Sequence, residues 1–311
     1  MSPSRRLRRD RALTLALAKE DWMLPARFDY HRPETLDEAL ELMDRFGDEA
    51  KVLAGGMSLI PMMKLRFASP ANVVDINRIA ELSGMSESDD GLRVNAVTRN
   101  SELEASDLLR RRYPTMAAAA PLISDPIVRN RGTVGGALAH ADPAGDWGSV
   151  MLALRAEVVA RSTSGERAIA IDELFETTFT TTLQPNEILT EVRVPAPPAL
   201  SGGAYLKLER KVGDFATVGV AVQLSLDDGR VGEAGIALTA VGPTNVRARE
   251  AEEALVGAEP TEEAFAEAAR RAAAASDPMT DVRGSADYKR HVVEVFVRRG
   301  LAGALEMARE R

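Results

Sequence analysis

The chain has no cysteine among its 311 residues, and this absence excludes several kinds of redox chemistry. Disulfide bonds, thiolate nucleophiles and zinc sites with cysteine ligands all require that residue. Iron–sulfur clusters held by cysteine are excluded for the same reason. If the protein takes part in oxidation or reduction, its redox centre must be something other than a thiol or a cysteine-bound metal.

Histidine is scarce as well, since only His31, His140 and His291 occur. His140 with Asp142 and Asp146 provides too few ligands for a zinc site, and the other two histidines are distant in sequence. No Ser-His-Asp arrangement or Glu-x-x-His pattern indicates hydrolysis. We therefore expect neither a metal site nor a catalytic residue of these classes in this chain.

Long apolar runs and excess basic charge are also missing. No stretch of about 18 apolar residues predicts a membrane span. The net charge of −8 argues against nucleic acid as the main partner, because phosphate binding needs clustered lysine and arginine. Residues 1–22 start with a basic segment and lack a secretory cleavage site, so we interpret them as a disordered extension or an upstream start, with a twin-arginine export signal as the alternative. We expect a cytoplasmic protein that can associate with the inner face of the membrane.

The composition is that of an ordinary globular protein, with 45% hydrophobic and 28% charged residues. The length favours two domains. Pro195 to Pro198 and the following Ser201-Gly202-Gly203 interrupt the pattern, and this predicts the main domain boundary. Beyond it, the pattern predicts three strands over residues 204–211, 216–226 and 232–241, and helices over 245–255, 262–275 and 285–299. Before it, one helix is predicted from Ser101 to Arg111.

A pair of glycines follows a short predicted strand and precedes a predicted helix. Glycine allows backbone N–H groups to approach an anion closely, and a helix N-terminus adds partial positive charge. A pyrophosphate is the expected ligand, and a simple tight turn is the alternative. The segment, here called the first loop, consists of Val52, Leu53, Ala54, Gly55, Gly56, Met57, Ser58 and Leu59.

A second glycine pair lies at Arg129 to Gly136, and we call Thr133 to Ala137 the second loop. We interpret it as the edge of a strand, where Thr133 Oγ can bond a phosphate and Gly135 and Gly136 can offer N–H groups; a β-bulge or corner is the alternative. Neither loop has the Gly-x-Gly-x-x-Gly dinucleotide fingerprint, and no Walker sequence follows. The common Rossmann and nucleotide-hydrolase interpretations are therefore excluded.

Asp142 and Asp146 follow the second loop directly. Either carboxylate could bind a ribose or a ring N–H group. The alternative is that they cap the N-terminus of a helix predicted over residues 147–154.

Together these segments resemble the FAD-binding medium subunits of the molybdenum hydroxylases, the xanthine dehydrogenase family. The likeness is strongest to the aerobic carbon monoxide dehydrogenase medium subunits, and it extends from about Met23 to the C-terminus. The segments that carry it are Ala54 to Arg66, Arg129 to Gly136, Ala204 to Lys211, Val241 to Thr244, Asp277-Pro278 and Asp281 to Arg290.

The resemblance implies an α+β fold in two domains. Residues 23–198 would form a two-part FAD-binding domain of the vanillyl-alcohol oxidase or PCMH type, with subdomains over about 23–80 and 81–198. Residues 202–311 would form a C-terminal domain of three antiparallel strands and a helical cluster, as in carbon monoxide dehydrogenase flavoproteins.

The resemblance also implies that FAD binds without a covalent bond. The first loop would wrap the pyrophosphate, and Thr133, Val134, Gly135, Gly136 and Ala137 would form a second cradle. The residues expected near the rest of the cofactor are Ile123, Asp146, Leu189 and Lys207. Met57 stands where relatives commonly have histidine, so any side-chain contact from that position would differ.

The family works as a complex, so the resemblance implies partners. A large subunit would carry the molybdenum cofactor and oxidise the primary substrate, and a small subunit would carry two [2Fe-2S] clusters, together forming a dimer of heterotrimers. This chain would receive electrons from the clusters and pass them to an external acceptor such as a quinone or NAD. The alternatives are a stand-alone flavin oxidoreductase and a non-enzymatic flavin-binding module. The primary substrate, whether carbon monoxide, a purine, an aldehyde or an aromatic acid, is not specified by this sequence.

Overall fold

The computed structural model describes residues 24–311, so the extension predicted over residues 1–22 lies outside the described residues. The first region, up to Ile79, forms a small parallel sheet with strand order β1-β3-β2. Thr35 and Glu38 form the predicted capping box, and the helix after it buries Leu36, Ala39, Leu40 and Met43. The elements are β1 Asp29–His31, α1 Leu36–Phe46, β2 Ala50–Leu53, α2 Leu59–Lys64 and β3 Asn72–Asp75.

The register of this sheet determines where the first loop begins. Leu53 pairs with Asp75 in parallel, so the carboxyl ends of β2 and β3 meet at one edge. The first loop continues from β2, and the turn that contains Asn77 continues from β3. These two connections therefore lie next to each other.

The second region, residues 80–195, is built on an antiparallel sheet with strand order β4-β5-β10-β6-β7. Short helices connect its second and third strands in sequence, and every residue of α8 is buried. The elements are β4 Met85–Ser88, β5 Gly91–Asn95, α3 Asn100–Ala105, α4 Asp107–Arg112, α5 Pro114–Ala119, α6 Pro126–Arg129, α7 Val134–His140, α8 Asp146–Ala153, β6 Glu157–Ser162, β7 Gly165–Ala170, α9 Ile171–Leu174, the hairpin β8 Phe175–Thr177 and β9 Thr180–Thr181, and β10 Ile188–Pro195.

The third region begins at Ser201 and forms an antiparallel sheet with order β11-β12-β13-β14, covered by helices. Its own core packs valines and leucines of β12 and β13 against alanines of the helices. The elements are β11 Ser201–Leu208, β12 Val218–Asp227, β13 Arg230–Thr239, β14 Val246–Arg247, α10 Arg249–Leu255, α11 Glu262–Ala275 and α12 Ala286–Arg309.

Several predicted boundaries were wrong. The helix predicted from Ser101 to Arg111 is two helices, because Ser106 is extended and its side chain caps α4 at Leu109 N. The helix predicted over 245–255 begins only at Arg249, since Val246–Arg247 pairs with β13 as a fourth strand. That strand adds to the three that the sequence predicted. The final helix continues to Arg309, ten residues beyond the predicted end.

Buried contacts join the three regions. Val97 and Ile188 of the second region complete the core of the first, and Tyr205, Ala221 and Ala237 of the third region complete the core of the second. The walls of any space between the regions are therefore fixed by packing. Within residues 24–311, no helix is long and apolar enough to cross a membrane.

Candidate functional site

A cavity of about 740 Å³ lies where the three regions meet. This volume is within the range of small-molecule and cofactor sites, about 300–1,000 Å³. All of the predicted site residues line the cavity except Leu53 and Val134. Leu53 is the last residue of β2 and accepts a hydrogen bond from Ile76 N, whereas Val134 is fully buried in the core of the second region. The structure thus brings together at the cavity residues 52, 54–59, 133, 135–137, Ile123, Asp146, Leu189 and Lys207.

The first loop has backbone donors without partners. Within the described residues, the N–H groups of Gly55, Gly56, Met57 and Ser58 donate to no protein atom, although these four residues line the cavity. Ser58 is the N-cap of α2 and its hydroxyl makes no capping bond. Gly56 has a φ of +75°, which favours glycine. This part of the chain can therefore receive an anion without losing any hydrogen bond within the protein.

The second loop differs, because its backbone donors are already bonded. Gly135 N donates to Ala96 O at 3.0 Å, and Gly136 N donates to Thr133 Oγ1 at 3.1 Å. Val134 N and Ala137 N donate to Thr98 O and Thr133 O. The prediction of a strand-edge loop with free N–H groups at Gly135 and Gly136 is therefore wrong. Both glycines lie in the first turn of α7, whose N-cap is Thr133.

The glycines of the two loops are needed for close packing. A Cβ atom on Gly135 would lie 2.5 Å from Ala96 Cβ, so glycine allows α7 to pack against the end of β5. A Cβ atom on Gly55 would meet Arg131 O and would lie 2.9 Å from Gly132 Cα. The first loop therefore rests directly on the backbone that leads into the second loop. The two loops are one packed unit, although only the first has open donors.

A buried charged cluster forms another wall of the cavity. Tyr205 and Lys207 are two residues apart on β11 and point to the same face. Tyr205 OH donates to Asp146 Oδ1 at 2.6 Å, and Lys207 Nζ donates to Asp146 Oδ2 at 3.0 Å and to Leu122 O at 2.9 Å. The Lys207 side chain is only 2% exposed. The cluster therefore presents a paired lysine and carboxylate to the cavity.

The electrostatics of this cluster follow from its burial. Burial raises the pKa of Asp146, although Lys207 and the hydrogen bond from Tyr205 act in the opposite direction. Burial and the neighbouring Asp146 carboxylate raise the pKa of Tyr205 well above its usual value. Tyr205 thus remains a hydrogen-bond donor at neutral pH, and burial favours the neutral form of the Asp146 carboxyl group.

The interpretation of Asp142 and Asp146 as helix N-caps was wrong. Gly145 occupies the N-cap position, and Asp146 is the first residue of α8, with its carboxylate directed to Tyr205 and Lys207. Asp142 Oδ1 accepts from Ala144 N at 2.9 Å within its own turn. Asp146 is therefore held by side chains of the third region, which local sequence patterns cannot indicate.

Sequence reasoning missed three residues that organise the site. Tyr205 could have been found from its alternation with Lys207 along a predicted strand. No sequence pattern marks Asn77 and Arg99, because their side chains donate hydrogen bonds to residues that are distant in sequence, Ala54 O and Arg131 O. Trp147, Phe179 and Phe215 line the cavity; Trp147 is buried, whereas Phe179 and Phe215 are each more than half exposed.

Comparison with known families covers most of the chain. Residues 26–197 match a family described as the FAD binding domain in molybdopterin dehydrogenase. Residues 203–304 match the CO dehydrogenase flavoprotein C-terminal domain. The two matches divide the chain between β10 and β11.

Individual relatives agree with these matches. The carbon monoxide dehydrogenase medium chain of Hydrogenophaga pseudoflava is 44% identical over 282 residues, which are 91% of this chain and 98% of the relative. Subunit alpha of the 6-hydroxypseudooxynicotine dehydrogenase complex of Paenarthrobacter nicotinovorans is 40% identical over 288 residues, 92% of this chain and 97% of the relative. A chain in a structure of the Hydrogenophaga pseudoflava carbon monoxide dehydrogenase that lacks the Mo-pyranopterin moiety superposes with a TM-score of 0.89 at 46% identity, covering 92% of this chain and 99% of that chain.

Proposed function

Because the chain belongs to the family of FAD-binding subunits of molybdopterin dehydrogenases, we propose that it carries electrons within a molybdenum-dependent hydroxylase. It receives electrons from iron–sulfur clusters of a partner subunit and passes them to an external acceptor such as a quinone or NAD. The primary substrate is oxidised at another subunit. The names of the relatives support this division, since one is the medium chain of a dehydrogenase and another is a subunit of a dehydrogenase complex.

The observation that carries the proposal is the set of unpaired N–H groups in the first loop, on the wall of a cavity large enough for a cofactor. The pyrophosphate of FAD is a dianion, and successive backbone donors at a helix N-terminus match it. Gly55, Gly56, Met57 and Ser58 would hold that group. The residues present therefore fit FAD, and bound FAD would supply the two-electron chemistry that a chain without cysteine lacks.

Four other residues of the cavity fit the flavin ring of the cofactor. Ile123 and Leu189 provide apolar surface, and Lys207 provides a buried positive charge paired with Asp146. A cation near the ring stabilises the negative charge that develops on reduction. We infer that Lys207 and Asp146 orient the ring end and tune its potential, while the first loop provides affinity.

The partners follow from the same proposal. A large molybdenum-containing subunit and a small subunit with two [2Fe-2S] clusters would assemble with this chain as a dimer of heterotrimers. The chain alone would then be inactive towards the primary substrate. The cavity is lined by Phe179 and Phe215, both well exposed, so its mouth is open to an acceptor or a partner.

Two experiments test the proposed function. The full chain, freed of bound flavin, is titrated with FAD, and saturable binding with one FAD per chain is expected. Acid precipitation of the complex should leave the flavin in the supernatant, because attachment is not covalent. Failure to bind FAD would contradict the proposed function, because every later step depends on the bound flavin.

The second experiment compares the chain alone with the complex made by co-expression of the chain with a large molybdenum-containing subunit and a small iron–sulfur subunit. Acceptor reduction is expected only from the complex, and only when FAD is present. Oxidation of an organic donor by the purified chain alone would favour a stand-alone flavin oxidoreductase. FAD binding with no acceptor reduction by the complex would favour a flavin-binding module.

A further inference from the structure

Two side chains behind the glycine loops connect them across the boundary between the first and second regions. Asn77 follows β3, and Arg99 precedes α3. Arg99 NH2 donates to Asn77 Oδ1 at 2.6 Å. We call this pair the strap. Neither residue lines the cavity itself.

Asn77 holds the first loop. Its Nδ2 donates to Ala54 O at 2.7 Å and to Asp75 Oδ1 at 2.6 Å. Its backbone N donates to the same Asp75 oxygen at 2.9 Å. The side-chain amide is therefore fixed in one orientation, with its oxygen towards Arg99 and its nitrogen towards the carbonyl just before Gly55.

Arg99 holds the backbone that leads into the second loop. Its NH1 donates to Arg131 O at 2.7 Å. Arg131 O is also the atom against which Gly55 packs, since a Cβ on Gly55 would meet it. One carbonyl is thus fixed by the guanidinium and in turn supports the glycine of the first loop.

We propose that Arg99 and Asn77 are positioning residues that set the spacing of the two loops, and through it the affinity of the first loop for the pyrophosphate of FAD. This inference rests on the proposed function. The guanidinium has donors in a fixed planar arrangement, which suits it to bridge two acceptors on different segments. Neither strap residue lines the cavity, so we expect the strap to act on a bound anion through the backbone of the two loops.

A purely electrostatic role for Arg99 makes a different prediction. If its charge alone attracted the pyrophosphate, lysine at this position would serve as well as arginine. If the planar bridge sets the spacing, lysine cannot reach both Arg131 O and Asn77 Oδ1 in the same arrangement. Arg99→Lys therefore separates charge from geometry.

The experiment is a titration of flavin-free full chain with FAD, with ADP as a competitor that carries the pyrophosphate without the ring. We expect Arg99→Met to weaken FAD binding about tenfold or more, Arg99→Lys to weaken it nearly as much, and ADP to lose affinity by a similar factor. Asn77→Asp keeps the acceptor for Arg99 but removes the donor to Ala54 O, and a similar loss is expected. The double variant should lose no more than the worse single variant, because both changes break one connection.

The matched control is Arg110→Met. Arg110 also bridges separate acceptors, Glu104 O, Ala105 O and the Asp107 carboxylate, but it contacts neither loop. The Arg110→Met variant should bind FAD and ADP as tightly as the unchanged chain. The midpoint temperatures of thermal unfolding of the flavin-free proteins show how much each substitution affects folding.

Unchanged FAD affinity in Arg99→Met, or full FAD affinity in Arg99→Lys, would overturn the inference. A loss of FAD affinity in Arg110→Met in proportion to its loss of thermal stability would also overturn it, because binding would then follow general stability. If the unchanged chain itself does not bind FAD, the proposed function fails instead. The two failures are therefore distinguishable in one series of titrations.

Discussion

The first and second loops both line the same cavity, and each has two adjacent glycines at a helix N-terminus, yet their backbone donors have different fates. In the first loop, four successive N–H groups have no partner among the described residues. In the second loop, Gly135 N and Gly136 N are bonded to Ala96 O and Thr133 Oγ1. A glycine pair therefore indicates a close backbone approach, but the approaching group can be a ligand or the protein itself.

The difference suggests separate tasks. The first loop has hydrogen-bonding capacity left over for a ligand, whereas the second uses its capacity to close a helix and supports the first through Arg131 O. Changes in the first loop should thus affect FAD binding more than folding, and changes in the second should do the reverse. Each of the following variants tests this difference between the loops.

The largest effect is expected from Gly55→Ala. Its Cβ would meet the backbone of Arg131 and Gly132, and neither can move aside as a side chain can. Overpacking of this kind costs about 1–3 kcal/mol in the free energy of unfolding. Because the first loop must shift to relieve the clash, its open N–H groups move with it, and we expect FAD affinity to fall by up to about a hundredfold. FAD titration measures the loss, and calorimetry of the flavin-free chain measures the effect on folding.

Gly303→Ala is the control for Gly55→Ala, because a Cβ at Gly303 meets nothing within 4 Å. It should leave FAD affinity unchanged. Gly55→Ala with normal affinity would show that the spacing of the two loops does not matter for binding.

Gly135→Ala should mainly reduce stability. The added Cβ would lie 2.5 Å from Ala96 Cβ and 2.8 Å from Ala96 O, which accepts the hydrogen bond from Gly135 N. We expect a loss of about 1–3 kcal/mol in the free energy of unfolding, and a loss of FAD affinity below about tenfold. Denaturant titration and FAD titration of the same preparation check both values. A larger effect on binding than on folding would mean that the second loop also binds the cofactor.

The two N-cap hydroxyls provide a milder test. Thr133 Oγ1 caps α7, so Thr133→Ala should cost about 1 kcal/mol of stability, whereas Thr133→Ser keeps the cap. Ser58 Oγ makes no capping bond, so Ser58→Ala should leave stability unchanged. If Ser58 Oγ instead bonds the pyrophosphate, Ser58→Ala should weaken FAD binding by about three- to tenfold. Equal stability losses in both alanine variants would remove the contrast between the loops.

The same contrast explains what the sequence could predict. Strand, glycine pair and helix start are local features, so Val52 to Leu59 could be placed correctly from pattern alone. Whether an N–H group is free depends on partners such as Ala96, about 40 residues before Gly135, and no local pattern contains that information. Asn77 and Arg99 escaped prediction for the same reason, whereas Tyr205 could have been recognised from its alternation with Lys207 along β11. The fourth strand at Val246–Arg247 was missed because two residues are too few for a recognisable period.

The smallest effect is expected at the other end of the cavity, where side chains rather than backbone groups carry the charge. Backbone donors of the loops do not titrate, so any dependence of the flavin potential on the charge of the protein should come from side chains. Lys207 and Asp146 form the buried charged pair on this wall. His140, Asp142, Glu187 and Asp214 also line the cavity, and they should act equally in a variant and in the unchanged chain. Lys207→Met removes the cation that opposes the effect of burial, and the already raised pKa of Asp146 should rise further. Above that pKa an unpaired carboxylate remains beside the cofactor, and below it the carboxyl group is neutral.

The midpoint potential of Lys207→Met should therefore be lower than that of the unchanged chain at high pH, by on the order of 30 mV for each 1.4 kcal/mol in a two-electron couple. The difference should shrink as pH falls through the Asp146 pKa, because protonation removes the negative charge. The same ionisation affects stability. Because the pKa of Asp146 is raised in the folded protein, the free energy of unfolding falls as pH rises through that pKa, and it should fall further in Lys207→Met. Lys289→Met is the matched control, since Lys289 is equally buried, pairs with Asp281 and donates to Met279 O, but lies outside the cavity. Redox titration across pH decides the matter, and a constant offset at all pH values would exclude Asp146 as the titrating group.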